Sequence, residues 1–400
     1  MISRMDRKPE LRVLQVFSCL GVGGAETWLM ALLRYLNEHK DELPYRVRFD
    51  ICLTGGQKGV FDDEASSLGA DLFYPHYRRR NLPRFIREFR SILAKGRYNA
   101  IHDHQDVTAG LHFLFGIGHL PPVRVAHIHN PLIHLEGYSK SAARRLTAAT
   151  GKRLLANLAT HIIGTSRQIV TEYGFDKNTF HKVERGAVYC GFDVGNFSRD
   201  HAKDHLDLCY EFGFDKRAKI ILFVGRLVAN SNQRLNQKNP QFALDVAKSC
   251  IERDPDIRMI LAGGGEVMKV KLKAALENAG LHEKVILPGQ RTDIARLMSG
   301  SDLFLFPSVA EGLGMVAVEA QAAGLRVLAS DGVPRECTVV PGMVEFKALA
   351  DGALEWAKEA SRLMSLPRPA QTACNLMVRD SPFSIENSTG ALLNIYSGLA

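Results

Sequence analysis

The segment LFLFPSVAEGLGMVAVEAQAAGLRVLA, residues 303–329, decides the fold. Leu303–Phe306 is an apolar run without polar alternation, the pattern of a parallel strand covered on both faces. An acid–glycine turn follows, with Glu311 in it, and then an alanine-rich stretch that reads as a helix and carries Glu319. Val327–Ala329 begins the next strand. Strand, helix, strand is the unit from which doubly wound α/β sheets are built.

The same alternation runs outward from this segment. Strand candidates in the first half are Val13–Phe17, Arg48–Leu53, Leu72–Tyr74, Ala100–His102, Val123–Ile128 and His161–Gly164. In the second half they are Ile220–Val224, Arg258–Ala262, Val285–Leu287, Leu303–Phe306 and Val327–Ala329. Helical periods lie between them, as in Phe242–Glu252, with apolar residues at 242, 246, 247, 250 and 251. The pattern restarts near Ile220 after an irregular stretch from about 191 to 218. The sequence therefore predicts an α/β fold of two Rossmann-like domains, residues 1–195 and 196–382. A final helix over 383–400 is expected to pack back on the first. The length of 400 residues suits this, since a domain takes about 100–200 residues.

With 46% hydrophobic and 24% charged residues, the core needs no covalent staples. The seven cysteines, at 19, 52, 190, 209, 250, 337 and 374, are scattered and show no C-x-x-C spacing. That speaks against a disulfide framework and a zinc site, and favours a reducing, cytoplasmic compartment. No apolar run reaches the ~18–20 residues of a spanning helix. Residues 11–33 are apolar, but Gly21, Gly23, Gly24 and Glu26 interrupt them where a signal peptide would continue.

The net charge of +8 is unevenly spread. Residues 77–97 hold eight basic side chains and one acid; residues 140–153 hold five basic side chains and no acid. Such patches suit phosphates or an anionic membrane surface. The first patch also reads as an amphipathic helix. In it Leu82, Phe85, Ile86, Phe89, Ile92 and Leu93 form the buried stripe, and Arg84, Arg87 and Arg90 the solvated side. No recognition motif accompanies the charge, so nucleic acid is not an expected partner.

Five groups of residues could carry chemistry. Gly21-Val-Gly-Gly-Ala-Glu26 follows a strand and opens a helix. Glycines there let a ligand approach the backbone, and the helix start offers unpaired N–H groups to an anion. A plain tight turn explains the loop equally, and its spacing is not that of a dinucleotide fingerprint. Histidines end two strands, at Ile101-His-Asp-His104 and Ala126-His-Ile-His-Asn130. Alternation puts His102 and His104 on one face, and His127 and His129 likewise. A metal cluster is one reading of them; core or capping roles are the other, and no metal site is expected. Val224-Gly-Arg226 and Gln237-Lys-Asn239 place two cations at a strand mouth, where a diphosphate would suit them. Ala262-Gly-Gly-Gly-Glu266 is a second close-approach loop. Glu311 and Glu319, if the whole span were helical, would lie ~12 Å apart along its axis. That exceeds the ~5–9.5 Å of glycosidase carboxylate pairs and favours separate tasks for the two acids.

Taken together, these motifs resemble the retaining glycosyltransferases of family 4, which have the two-domain GT-B fold, and most closely their capsular and exopolysaccharide branch. The resemblance runs from Val13 to about Trp356. It rests on GGAE at 23–26, RVAHIHN at 124–130, VGR at 224–226, QKN at 237–239 and AGGGE at 262–266. PGQRTDIARLM at 288–298 and FPSVAEGLGMVAVEAQAAGL at 306–325 complete it, with Glu311 and Glu319 in the family's E-x7-E spacing.

The resemblance implies two domains facing a cleft, and a nucleotide-diphosphate sugar as donor, a UDP-sugar being favoured. Gly23 and Gly24 would lie against the donor phosphates or sugar. Arg226 and Lys238 would bind the diphosphate and stabilise its charge as it leaves. Glu311 would hold sugar hydroxyls, helped by the backbone of Gly312, Leu313, Gly314 and Met315. Glu319 would bind the ribose. Gly264 would approach the donor, and Gln290 and Arg291 would flank the base. His129 matches the cleft histidine, with His127 as the fallback. A hexosyl or N-acetylhexosaminyl group would pass to a glycan or lipid-linked acceptor with retention. No metal and no cofactor would be needed, and the enzyme would work in the cytoplasm or at the inner face of its membrane.

Two departures stand out. The segment Val228–Asn236 is longer and more polar than usual, and Cys190 replaces an Asn in the turn Tyr189–Asp193. A sugar-nucleotide epimerase of the same fold and a non-catalytic sugar-nucleotide-binding protein are the competing readings.

Overall fold

The apolar runs become parallel strands because they are buried on both faces and joined by helices that cover them. The structure, a computed structural model, describes residues 8–133, 142–227 and 237–398. The polar segment 228–236 and Lys140 of the second basic patch lie outside the described residues. The chain divides into two compact units, Met1–Phe192 with Ile385–Ala400, and Asp193–Ser384.

The first unit holds β1 (Glu10–Phe17), β2 (Arg46–Leu53), β3 (Leu72–Phe73), β4 (Ala100–Asp103), β5 (Val123–Ile128), β6 (His161–Gly164) and β7 (Glu184–Ala187). They form one sheet in the order β3-β2-β1-β4-β5-β6-β7, all pairs parallel. The order reverses between β1 and β4, which makes a switch point at their carboxyl ends. The helix Leu82–Gly96 buries Phe85, Phe89 and Leu93, one per turn, against this sheet. Arg84, Arg87 and Arg90 are exposed on its other side.

The second unit holds β8 (Lys219–Val224), β9 (Ile257–Ala262), β10 (Val285–Gly289), β11 (Leu303–Phe306), β12 (Val327–Ser330) and β13 (Val344–Lys347). Their order is β10-β9-β8-β11-β12-β13, again all parallel, with the switch point between β8 and β11. Trp356 of the helix Gly352–Ser365 is fully buried in its core and donates its indole N–H to Ala348 O at 2.8 Å.

Two strands are not visible as apolar runs. β7 (ERGA) and β13 (VEFK) are edge strands whose residues stay half-buried or exposed, so they carry little hydrophobic signal. The stretch read as irregular contains the helix His201–Phe212. Asp200 caps it by accepting the Lys203 N–H at 3.2 Å, and Gly213, at φ 69°, ends it.

The helix Ile385–Ser397 packs on the first unit. Ile385 N–H donates to Phe192 O at 3.0 Å, Trp28 Nε1 to Ser388 Oγ at 3.1 Å, and Gln15 Nε2 to Tyr396 Oη at 3.2 Å. All seven cysteines are free thiols, six of them buried. Among the described residues no helix is long and apolar enough to cross a membrane.

Candidate active site

In the second unit the switch point gathers the predicted cations and acids. β8 delivers Gly225 and Arg226, and Arg226 is exposed. Asn239 takes a left-handed φ of 53°, and Pro240 then starts a helix. That turn aims Lys238 back toward β11. Lys238 Nζ donates to Glu311 Oε1 at 2.7 Å and lies 5.1 Å from the centre of the Phe306 ring. Gln237 straps the two segments together. Its Nε2 donates to Ala310 O at 2.7 Å and Glu311 Oε2 at 3.4 Å, and its carbonyl accepts from Val309 N–H at 2.7 Å. The Glu311 side chain is 7% exposed, so its charge requires this partner. Sequence reasoning gave Lys238 and Glu311 separate tasks; the structure joins them in one ion pair. An ammonium has three N–H donors, so Lys238 can hold Glu311 and an incoming anion together.

The helix Met315–Ala322 begins beside this pair. Gly314, at φ 90°, precedes it, and a Cβ there would sit 2.8 Å from a Phe306 ring carbon, so this glycine is fixed by packing. Gly312 and Leu313 are buried, and Met315 is half-buried. Glu319 is half-buried too. Burial pushes its carboxyl up to about 7, while Lys238 pulls it down. One lysine thus bears on both acids.

The second glycine loop is largely packed against its own chain. A Cβ on Gly263 would lie 1.8 Å from Gly225 O, and one on Gly265 1.7 Å from Leu227 O. Gly264 faces the Gln290 amide, and its carbonyl accepts from Leu227 N–H at 2.7 Å. Arg291 is tied down as well. It donates to both oxygens of Asp293 at 2.8 Å and to Glu211 at 2.8 Å, and Arg296 closes the cluster on the same two acids. These bonds hold the Asp293 carboxyl well below the usual carboxylate range. A guanidinium so engaged holds the loop after β10 in place more than it offers a free cation.

In the first unit Gly23 and Gly24 open the helix Gly24–Glu38. A Cβ on Gly23 would meet Glu26 Oε2 at 2.3 Å, whereas one on Gly24 meets nothing within 4 Å. A ligand at Gly23 would have to displace the flexible Glu26 carboxylate, whereas the open side of Gly24 is clear.

The strand-end histidines form a grid on one face of β4 and β5. Ring centroids are 4.0 Å apart for His102 with His104 and for His127 with His129, and 5.2 Å apart for His102 with His127 and His104 with His129. Trp28 lies edge-on to all four, and Phe17 stacks on His104 at 4.1 Å. His102 Nε2 and His127 Nδ1 are 3.1 Å apart, and His104 Nδ1 and His129 Nε2 2.9 Å. Burial pushes all four far toward the neutral form, His129 to about 3. His129 is half-buried, whereas His127 is fully enclosed. The His129 backbone N–H donates to Asp106 Oδ1 at 2.7 Å.

Ring nitrogens of His102, His104 and His127 lie within 4.8 Å of one another, close enough to be metal ligands. Hydrogen bonds between the rings, to Tyr396 Oη and to Gln15 Oε1 account for the same nitrogens, His127 Nε2 excepted, which is buried without a partner. Gln15 and Tyr396 complete the grid, and sequence reasoning missed both. The one available signal was a glutamine inside the apolar run of β1.

The chain matches two family models. The model described as Glycosyltransferase Family 4 covers residues 22–186, and that described as Glycosyl transferases group 1 covers residues 218–365. EpsF of Bacillus subtilis (strain 168), assigned as a glycosyltransferase, is 28% identical over 96% of each chain. The capsular polysaccharide biosynthesis glycosyltransferase CapH of Staphylococcus aureus is 25% identical over 80% of this chain and 81% of its own. The D-inositol 3-phosphate glycosyltransferase of Rhodococcus opacus (strain B4) is 32% identical over 75% of this chain and 67% of its own. Among solved structures, Anabaena Alr3699/HepE in complex with UDP and glucose superposes with a TM-score of 0.72. It covers 98% of this chain and 100% of its own at 17% identity, a likeness that establishes the fold alone.

Proposed function

We propose that this chain, which belongs to the glycosyltransferases with a family 4 N-terminal half and a group 1 C-terminal half, transfers a hexosyl or N-acetylhexosaminyl group with retention. The donor is a nucleotide-diphosphate sugar, a UDP-sugar by preference. The acceptor is a glycan or a lipid-linked glycan of capsular or exopolysaccharide synthesis. The observation that carries this reading is the Lys238–Glu311 pair at the carboxyl ends of β8 and β11. HepE's solved complex with UDP and glucose, and the capsular role in CapH's name, support donor and pathway class.

Glycosidic cleavage leaves negative charge on the diphosphate. Lys238 and exposed Arg226 would stabilise that charge as it forms, which is preorganised electrostatic catalysis. Lys238 can keep Glu311 Oε1 while it binds the diphosphate, and the remaining acceptor capacity of the Glu311 carboxylate would take hydrogen bonds from sugar hydroxyls. Glu319, ionised, would take the two ribose hydroxyls, with Gln290 and Arg291 beside the base. Gly24 would let the donor reach a helix start, and His129 would meet a sugar hydroxyl. Side chains supply the positive charge at the leaving group, so no resident metal or cofactor is assigned. The enzyme would work in the cytoplasm, at the membrane face where lipid-linked acceptors lie.

Lys238→Ala tests the reading. Nucleotide release from a UDP-sugar panel, followed with an acceptor extract, should fall about 10²–10³-fold in kcat, as when other preorganised donors are removed. Unchanged turnover in a folded variant would overturn the assignment.

A further inference from the structure

We propose that Gln15 is a positioning residue that, through His104, fixes the proton of His129 on Nε2 and leaves Nδ1 as a hydrogen-bond acceptor for substrate. This rests on the transferase reading for the word substrate; the proton's position does not.

Gln15 Nε2 lies 3.2 Å from Tyr396 Oη, and Gln15 Oε1 lies 2.9 Å from His104 Nε2. The amide NH2 can only donate, so the Tyr396 oxygen accepts from it. The one phenol proton is then left for the other partner of Tyr396, and His102 Nδ1 accepts it. An amide oxygen only accepts, so His104 carries its proton on Nε2.

The rest follows by the same rule. A neutral His104 protonated on Nε2 has a bare Nδ1, which accepts from His129 Nε2–H at 2.9 Å. His129 is therefore bare at Nδ1, a nitrogen that no described residue takes. On the other branch His102, bare at Nδ1, donates Nε2–H to His127 Nδ1 at 3.1 Å. That branch ends on His127 Nε2–H, buried beside the Trp28 ring.

One amide thus sets four tautomers, because its two ends impose opposite demands on two chains of rings. The register supports this. Gln15 of β1 lies directly beside His102 of β4, and all these groups are enclosed, His129 alone being half-open. Reversing the amide would reverse every proton and turn His129 Nδ1 from acceptor to donor. A sugar hydroxyl that donates to His129 in one state would find a competing N–H in the other.

Multiple-bond 1H–15N NMR of the 15N-histidine-labelled, ligand-free chain near pH 7 reads the tautomer without any substrate. The wild type should show His129 neutral, with its proton on Nε2. In Gln15→Met both tautomers should be populated, and donor kcat/KM should fall about tenfold, the equivalent of one lost hydrogen bond. Tyr396→Phe removes the group that orients the amide and should also give a mixture. If Gln15→Met does not fold, Tyr396→Phe carries the same decision. Ser388→Ala loosens the same helix at Trp28 without touching the amide and should keep the single tautomer. A wild-type proton on Nδ1, a charged ring, or a single tautomer surviving in the amide and phenol variants would overturn the proposal. A failed transfer assay with the expected spectrum would refute the transferase reading and leave the relay standing.

Discussion

Glu319 is the acid whose charge the fold leaves closest to neutral pH. Burial raises its carboxyl from 4.5 to about 7. Between pH 4.5 and 7 the native state holds a proton that the unfolded chain has released, so the contribution of Glu319 to stability is fully present below pH 4.5 and is lost as pH rises through about 7. Replacing it by an uncharged isostere removes the penalty. Glu319→Gln should be more stable than wild type near pH 8 by at most about 3 kcal/mol, and nearly equal to it near pH 4.5. Thermal melts at the two pH values check this; a gap independent of pH would contradict it. If the ionised form binds ribose, donor kcat/KM should also rise with pH through about 7, and the Gln variant should not follow. The E-x7-E spacing was legible in the sequence, as was Lys238. Their pairing was not, since Lys238 and Glu311 are 73 residues apart and meet only because β8 and β11 are neighbours. Gln15 and Tyr396, 381 residues apart, are a more extreme case.

At the scale of elements, the two glycine loops separate into different roles. Gly265 sits at φ 139°, and a Cβ would strike Leu227 O. Gly265→Ala should cost about 1–3 kcal/mol through backbone strain alone, and more if the loop after β8 cannot yield. Gly24 starts a 15-residue helix with open space where a Cβ would stand. Gly24→Ala should leave stability unchanged or raise it by about 0.5–1 kcal/mol, and yet lower donor kcat/KM, because the methyl takes the ligand's room. Melting temperature and donor kinetics on both variants decide the matter; full donor affinity in Gly24→Ala would place the phosphates elsewhere. Both loops looked alike in sequence because glycine signals close approach without saying of what. The same limit applies to strands. Runs buried on two faces, such as Ile220–Val224, announce themselves, whereas β7 and β13 lie at sheet edges, where half-exposed residues break the apolar pattern. The helix His201–Phe212 was hidden for a related reason. It buries only Asp204, Leu208 and Cys209, too narrow a stripe to stand out.

At the scale of the whole molecule, the +8 charge is concentrated and so has a testable consequence. The helix Leu82–Gly96 satisfies both readings of its sequence at once. Its phenylalanines fill the core of the first unit, and Arg84, Arg87 and Arg90 stay in solvent. The second patch is weaker as a surface. Lys152 is half-buried, 5.6 Å from the centre of the Phe175 ring, and Arg145 and Arg153 remain exposed. No described helix is long and apolar enough to cross a membrane. Each arginine near an anionic surface contributes about 1 kcal/mol, so replacing Arg84, Arg87 and Arg90 by serine should weaken binding to phosphatidylserine vesicles about a hundredfold. Wild-type binding should also fall steeply as salt rises above about 0.1 M, where the screening length is about 10 Å. Salt-independent cosedimentation, or none, would end the membrane proposal. The three positions are not equal. Arg84 is paired with Glu88 at 2.7 Å, and Arg90 donates to Phe115 O at 2.7 Å, so both have part of their hydrogen-bonding capacity committed. Arg87 is exposed and has no such partner among the described residues, so its single replacement should have the largest effect of the three.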